Sequence, residues 1–95
     1  MHGGVRGFDK KVWHGEIKDN TVVFSVRSED EEEGYPGNLE VKAVYKLDGN
    51  ALEIDYYAVS DADTVVNLAN HTYFNLDGHN SGSIENHLIK INTDR

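Results

Sequence analysis

The sequence predicts an all-β protein of antiparallel strands, and three observations lead to this prediction. Apolar and polar residues alternate with a period of two over two long runs, which is the spacing of a strand with one buried face. Turn-forming residues separate neighbouring runs, as they do in β-hairpins. No window of the 95 residues combines an apolar stripe of helical period with capping residues. Several short strands at this spacing form an antiparallel sandwich or barrel, or part of one.

A hairpin in the middle of the chain is the clearest element. From Leu39 to Leu47 the odd positions are all apolar, and most of the even positions are charged. The alternation returns from Leu52 to Ala58. Asp48-Gly49-Asn50 separates the two runs, and Asp and Gly accept the left-handed backbone that a tight turn needs. Two strands joined by this turn are therefore predicted.

Five further segments are weaker strand candidates. Val12–Ile17 and Thr21–Val26 flank Lys18-Asp19-Asn20, which is a second hairpin signal. The other three are predicted because they contain β-branched, aromatic or other large apolar residues, which are favoured in strands. They are Thr64–Leu68, His71–Leu76 and Leu88–Ile91.

Three segments are predicted to be loops. Gly34-Tyr35-Pro36-Gly37 contains the only proline and indicates a turn or a bent loop. Residues 77–86 are polar and rich in Gly and Ser. Glu29–Glu33 is a run of consecutive acids, which is typical of a solvated loop. A cation site is the alternative for this run, but calcium loops alternate their ligands with other residues and place a Gly at the bend.

The composition excludes several classes of function. Lys and Arg number 9 while Asp and Glu number 17, so the formal net charge of −8 argues against nucleic acid and against anionic membrane surfaces. No apolar run is long enough to span a bilayer, and the Met1 end carries no apolar stretch of a signal peptide. The absence of Cys removes disulfides and thiol chemistry. These features predict a cytoplasmic protein.

His71 is the strongest candidate for a residue that carries chemistry. Amide side chains precede it and two aromatic residues follow shortly after in the segment Asn67–Leu76, a mixture that suits a concave site with apolar walls. Histidine can also move a proton near neutral pH. A surface or hydrogen-bonded structural histidine is the alternative. None of the five His forms a pair at the spacing of a helical zinc motif, so no metal site is predicted.

Three ordered segments resemble sequence signatures of the aldose 1-epimerases, also called galactose mutarotases. These segments are His2–Lys10 with Trp13, Glu32–Gly37 with the strand that ends in Tyr45-Lys46-Leu47, and Asn67–Leu76. They cover nearly the whole chain. The resemblance implies part of a large antiparallel β-sandwich with a sugar-binding cleft. It also implies interconversion of the α and β anomers of free aldoses such as galactose and glucose, without a cofactor.

The resemblance assigns two residues a role. It implies that His71 is the general acid, which protonates the ring oxygen as the sugar ring opens. It implies that His2 binds the sugar and polarises it near the same oxygen. From the residues alone, the Gly-rich segment around His2 is equally well a flexible terminus.

The departures from the family pattern limit what this chain is expected to do. Family members are much longer, and their Arg motif, their downstream sugar-binding Asp and their catalytic Glu base have no counterpart here. Glu32, Glu33 and Glu85 do not match the motif of that base. Smaller departures are Glu31 where Gly is common and Ala69 where Thr is common.

Residues 1–95 are therefore expected to form a single partial domain that lacks the family's N-terminal and C-terminal parts. Such a piece is expected to be inactive alone and to self-associate through open sheet edges. Three alternatives stay open: a non-catalytic carbohydrate-binding β module, a small acidic interaction domain, and an enzyme for phosphorylated sugars. The net charge of −8 disfavours the last of these.

Overall fold

A computed structural model of the chain describes residues 2–93 and confirms the all-β class. The strands are β1 (His14–Lys18), β2 (Thr21–Ser28), β3 (Leu39–Asp48) and β4 (Ala51–Ser60). Two single 3₁₀ turns, Phe8–Lys10 and Glu32–Gly34, are the helical elements of the described residues. Across residues 2–93 no helix combines the length and the apolar character that crossing a bilayer requires.

The four strands form one antiparallel sheet in the order β1-β2-β3-β4. Both predicted hairpins are confirmed, and each turn contains two residues between its strands. The first turn residue has a left-handed backbone in both cases, with φ of 53° at Asp19 and 58° at Gly49. The strands extend one or two residues beyond most of their predicted ends, since cross-strand pairing continues there. The predicted start at Val12 is wrong, because pairing of β1 with β2 begins only at His14.

The register gives the sheet two chemically different faces, because residues directly opposite one another point to the same side. Most apolar positions of the four strands share one side, here called the inner face, whereas Val23, Val44, Tyr57 and Val59 lie on the other. The members of the inner face include Val22, Phe24, Val26, Leu39, Val41, Ala43, Tyr45, Ile54, Tyr56 and Ala58. The other face carries most of the charged residues of the strands, among them Glu40, Lys42, Lys46, Glu53 and Asp55.

The hydrophobic core is small and is centred on β3. Val41 is only 1% exposed, and Leu39 and Ala43 are the other buried apolar side chains of the described residues. Two segments, residues 2–13 and 64–71, lie across the inner face and are together called the cover. A cavity bordered by inner-face residues and by both segments of the cover shows this arrangement.

The three strands predicted after β4 are wrong. Thr64–Leu68, His71–Leu76 and Leu88–Ile91 lack regular secondary structure. The strand propensity of a residue reflects how well its side chain packs on a pleated surface. A strand also needs a neighbouring backbone as its hydrogen-bond partner. These segments have no such neighbour within residues 2–93. Their apolar side chains are exposed as a result, to 81% at Tyr73 and 98% at Leu88.

The connection between β2 and β3 is fastened to the end of β4. The Asp30 carboxylate accepts a hydrogen bond from the Gly37 N–H at 2.6 Å. The Asn38 N–H and side-chain amide donate to Asp61 at 2.7 and 2.8 Å. These bonds from Asn38 hold the pKa of Asp61 below its ordinary value. Gly37 itself is buried, has φ of 81°, and lies against Ser60 and Ala62.

Gly37→Ala is expected to destabilise the fold more than Gly49→Ala. Both glycines have positive φ, which costs an L residue about 1–2 kcal/mol. An added Cβ at Gly37 would also lie 2.9 Å from the Ala62 Cβ, whereas a Cβ at Gly49 meets nothing within 4 Å. Overpacking of this kind costs about 1–3 kcal/mol more. Urea unfolding of both variants measures the difference, and equal losses would contradict the close packing at Gly37.

A cleft between the inner face and the cover

A cavity of about 690 Å³ lies between the inner face of the sheet and the cover. Inner-face residues of β2, β3 and β4 border it, namely Phe24, Ser28, Leu39, Ala43, Tyr45 and Tyr56. The first part of the cover contributes residues from His2 to Trp13, and the second contributes Val65 to His71. The volume falls within the ~300–1,000 Å³ range of small-molecule sites. Apolar walls with a few polar groups are the usual lining of such sites.

The two candidate histidines line this same cavity although they are distant in sequence. Both side chains are exposed rather than packed in the core. The ring of His71 meets that of Tyr73 edge to face, with the centroids 5.1 Å apart and the planes at 65°. His71 therefore occupies an open position at the cavity and not the expected strand.

Asn70 connects the second part of the cover to the sheet. Its side-chain N–H donates to the Tyr45 hydroxyl at 3.1 Å, and its side-chain oxygen accepts from the Thr72 N–H at 2.8 Å. The second bond is a local turn of the kind that Asn side chains favour. Asn70 and Thr72 are the neighbours of His71 in sequence, so these bonds fix the backbone on both sides of His71.

Tyr45 and Tyr56 supply hydroxyl groups to a largely apolar floor. Burial raises the pKa of Tyr56, and the neighbouring Tyr45 adds to this effect. The Tyr56 phenol therefore stays neutral at physiological pH, and the hydroxyls of both tyrosines can donate and accept hydrogen bonds. Sequence patterning placed the two rings correctly on the apolar face of the hairpin. It gave no signal that their polar ends reach a cavity, since this depends on what lies across the sheet.

The first part of the cover is fixed by its own contacts. Phe8 and Trp13 pack edge to face with centroids 6.1 Å apart, and the indole N–H of Trp13 donates to the Phe8 carbonyl at 2.9 Å. The Lys10 ammonium donates to the Val5 carbonyl at 2.8 Å. These contacts give residues 5–13, which follow His2, a defined course.

The acidic run lies in a loop with four of its five residues exposed, as its composition predicts, but Glu32 and Glu33 also bind other parts of the protein. The Glu32 carboxylate accepts hydrogen bonds from the Lys11 ammonium and from the Ser28 hydroxyl at 2.6 Å. The bond from Lys11, followed by the bond from Ser28, lowers the pKa of Glu32. Glu33 accepts from the backbone N–H groups of Val5 and Arg6. Self-repulsion is avoided because these carboxylates find donors in the first part of the cover and in β2.

The alternative of a cation site at the acidic run has no support in the geometry. Among residues 2–93 no three His, Asp or Glu side chains gather closely enough to hold a metal ion. Glu32 and Glu33 already accept hydrogen bonds from the protein, and Glu29 pairs with Arg27 at 3.0 Å. The side chains of the run therefore diverge toward separate partners.

Comparison with known proteins agrees with the three segments that resemble mutarotase signatures. A sequence model of the aldose 1-epimerase family matches residues 1–95. Galactose mutarotase from Homo sapiens is 50% identical over 94 residues. Aldose 1-epimerase is 44% identical over 97 residues in Haemophilus influenzae and 43% identical over 96 in Escherichia coli. Each match covers 99% of this chain and 28% of the relative.

The match therefore extends along the whole chain, whereas the chain spans little more than a quarter of the length of these relatives. It includes the segments that contribute His2, the acidic run and His71 to the cleft. The family predicted from those segments is confirmed, and with an all-β sheet beneath them the chain belongs to the aldose 1-epimerase family.

Proposed function

We propose that this chain supplies the general acid and part of the sugar-binding cleft of an aldose 1-epimerase. The observation that carries the proposal is that His2 and His71 line the same cavity, whose volume suits a small molecule. The relatives named galactose mutarotase and aldose 1-epimerase support a free aldose, such as galactose or glucose, as the ligand. A cytoplasmic location is part of the proposal, because a chain without Cys needs no oxidising compartment.

Anomer interconversion is acid–base chemistry that needs two proton transfers. Ring opening removes a proton from the C1 hydroxyl and delivers a proton to the ring oxygen. Closure on the other face of the aldehyde reverses both transfers. In the proposal His71 donates to the ring oxygen and His2 hydrogen-bonds the sugar near this atom. The hydroxyls of Tyr45 and Tyr56 and the amide of Asn70 are placed to bind sugar hydroxyls.

The proton acceptor at C1 is not assigned to a glutamate of this cleft. Glu32 and Glu33 line the cavity, but the first is bound to Lys11 and the second to two backbone N–H groups. A base must be free to take the proton that it abstracts. The chain alone is therefore proposed to bind an aldose without turning it over at the family's rate.

This engagement of both glutamates also favours a second candidate function, a carbohydrate-binding β module without catalysis. Such a module needs the apolar floor and the hydrogen-bonding groups of the cleft but no base. The two functions differ in what His71 does. In an epimerase it transfers a proton, whereas in a binding module it only hydrogen-bonds the sugar.

Galactose is expected to bind the chain at the two candidate histidines. Titration with galactose should shift the ring signals of His2 and His71 in NMR spectra and leave exposed His79 unchanged as an internal control. Polarimetry of freshly dissolved α-galactose should show only the uncatalysed rate. Absence of any shift would contradict the cleft. Acceleration that His71→Ala abolishes would show that a base lies within these residues or in a second copy.

A chimera tests the acid role of His71. This chain would replace the aligned segment of the Escherichia coli relative, which is 43% identical to it. His71→Ala in the chimera should lower kcat by ~10²–10⁴, the usual contribution of a positioned acid, while His79→Ala leaves kcat unchanged. An active chimera whose kcat survives His71→Ala would favour the binding module for this segment.

We also propose that the chain self-associates through the edges of its sheet. β1 and β4 are the outer strands of the described sheet, and Tyr57 and Val59 on β4 are 58% and 71% exposed. Exposed edge strands with apolar side chains pair readily with other chains, and added Lys residues suppress such pairing.

The average mass in sedimentation equilibrium should therefore rise with concentration above the 10.7 kDa monomer. The double variant Tyr57→Lys/Val59→Lys should lower this association. His79→Lys/Asn80→Lys, which adds similar charge in a loop, should not. A chain that stays monomeric at every concentration would overturn this part of the proposal.

A further inference from the structure

We propose that Glu33 is a positioning residue that holds the loop carrying His2 against the cleft. This inference rests on the proposed function, because it concerns how one of the two candidate histidines is placed. The loop comprises residues 2–7 and is called the His2 loop. Glu33 lies in the acidic run between β2 and β3, far from the loop in sequence.

The contact uses both oxygens of one carboxylate. Oε2 of Glu33 accepts from the N–H of Val5 at 2.9 Å, and Oε1 accepts from the N–H of Arg6 at 2.7 Å. Hydrogen bonds to an ionised acceptor are roughly twice as strong as neutral ones. Two such bonds to successive N–H groups fix the orientation of the loop backbone as well as its distance from the acidic run.

The backbone at Glu33 indicates that this side chain has a specific purpose. Its φ of 54° and ψ of 21° lie in the left-handed region, where an L residue is strained and Gly is not. Glu31 has a similar conformation, with φ of 63° and ψ of 7°. The difference lies in the side chains: within residues 2–93, the carboxylate of Glu31 accepts no hydrogen bond. At position 33 the strain accompanies two bonds to the His2 loop.

The loop is shaped to fit this carboxylate. Gly4 has φ of 95°, and an added Cβ there would collide with the side chain of Glu33. The backbone of the His2 loop therefore passes directly over the carboxylate. Only a glycine permits both this close approach and this φ.

Glu33 is itself held in place by the adjacent residue. Glu32 accepts hydrogen bonds from the hydroxyl of Ser28, a buried residue at the end of β2, and from Lys11. A continuous connection thus runs from the sheet through the acidic run to the His2 loop. The side chain of His2 is exposed, so core packing does not place it and the loop backbone does.

Two matched variants test this role in the chain as it exists. Glu33→Gly and Glu31→Gly both relieve a left-handed backbone, but only the first removes the carboxylate that binds the loop. In Glu33→Gly the amide protons of Val5 and Arg6 should shift upfield and exchange about tenfold faster or more. The dissociation constant of galactose should rise by a similar factor, with the response of His2 lost and that of His71 retained. Glu31→Gly should change none of these.

Glu33→Gln provides the conservative comparison. Its amide keeps one acceptor oxygen, so one of the two amide signals should stay near its parent position. The signals of β3 and β4 report whether each variant is folded. Unchanged Val5 and Arg6 amides in Glu33→Gly would overturn the inference, as would equal changes in Glu31→Gly. If galactose shifts the NMR signals of neither His2 nor His71 in the parent chain, the proposed function fails. The amide signals of Val5 and Arg6 still decide whether Glu33 holds the loop.

Discussion

The structure depends on the pairing of β3 along both of its edges. β3 pairs with β2 on one side and with β4 on the other, and its alternate residues Leu39, Val41 and Ala43 form the buried core. A strand with two neighbours has nearly all its backbone groups satisfied, which makes it the most stable part of a sheet. The same alternation continues to Tyr45 and sets the floor of the cleft. The alternation of side chains along β3 thus determines both the core and the wall of the cleft that a ligand would contact.

The cover is held by a different kind of interaction. It contributes no strand to the sheet, and its ties are single polar contacts such as Asn70 to Tyr45 and Glu33 to the His2 loop. Each tie of this kind contributes about 0.5–3 kcal/mol, depending on charge and exposure. The part of the molecule that carries both candidate histidines is therefore less firmly held than the strands. Regions that bind ligands are commonly drawn from the less stable parts of a fold.

The same difference between the paired strands and the cover explains which features could be predicted from the sequence. The hairpins could be predicted because the period of two and the turn residues Asp19 and Gly49 are local signals. The strands expected at Thr64–Leu68 and His71–Leu76 failed because pairing depends on a distant backbone, which no local pattern encodes. The exposure of the acidic run was predicted correctly, but its hydrogen bonds were not, since the donors Val5, Arg6 and Lys11 are distant in sequence. His71 was predicted from its sequence context as well as from the resemblance, and His2 from the resemblance alone, whereas their position at one cavity is a property of the fold.

The charge distribution explains how an acidic chain can offer a cleft whose floor, on the sheet, is uncharged. Most charged residues of the strands lie on the face opposite the cavity, where water solvates them. At the cavity, Glu32 is neutralised by Lys11, and Glu33 is bound to N–H groups of the His2 loop. The hydroxyls of Tyr45 and Tyr56 and the amide of Asn70 line the same cavity, and such uncharged groups suit a polyol better than an ion. The acidic run, whose composition predicts only a solvated loop, thus also binds the loop that carries His2.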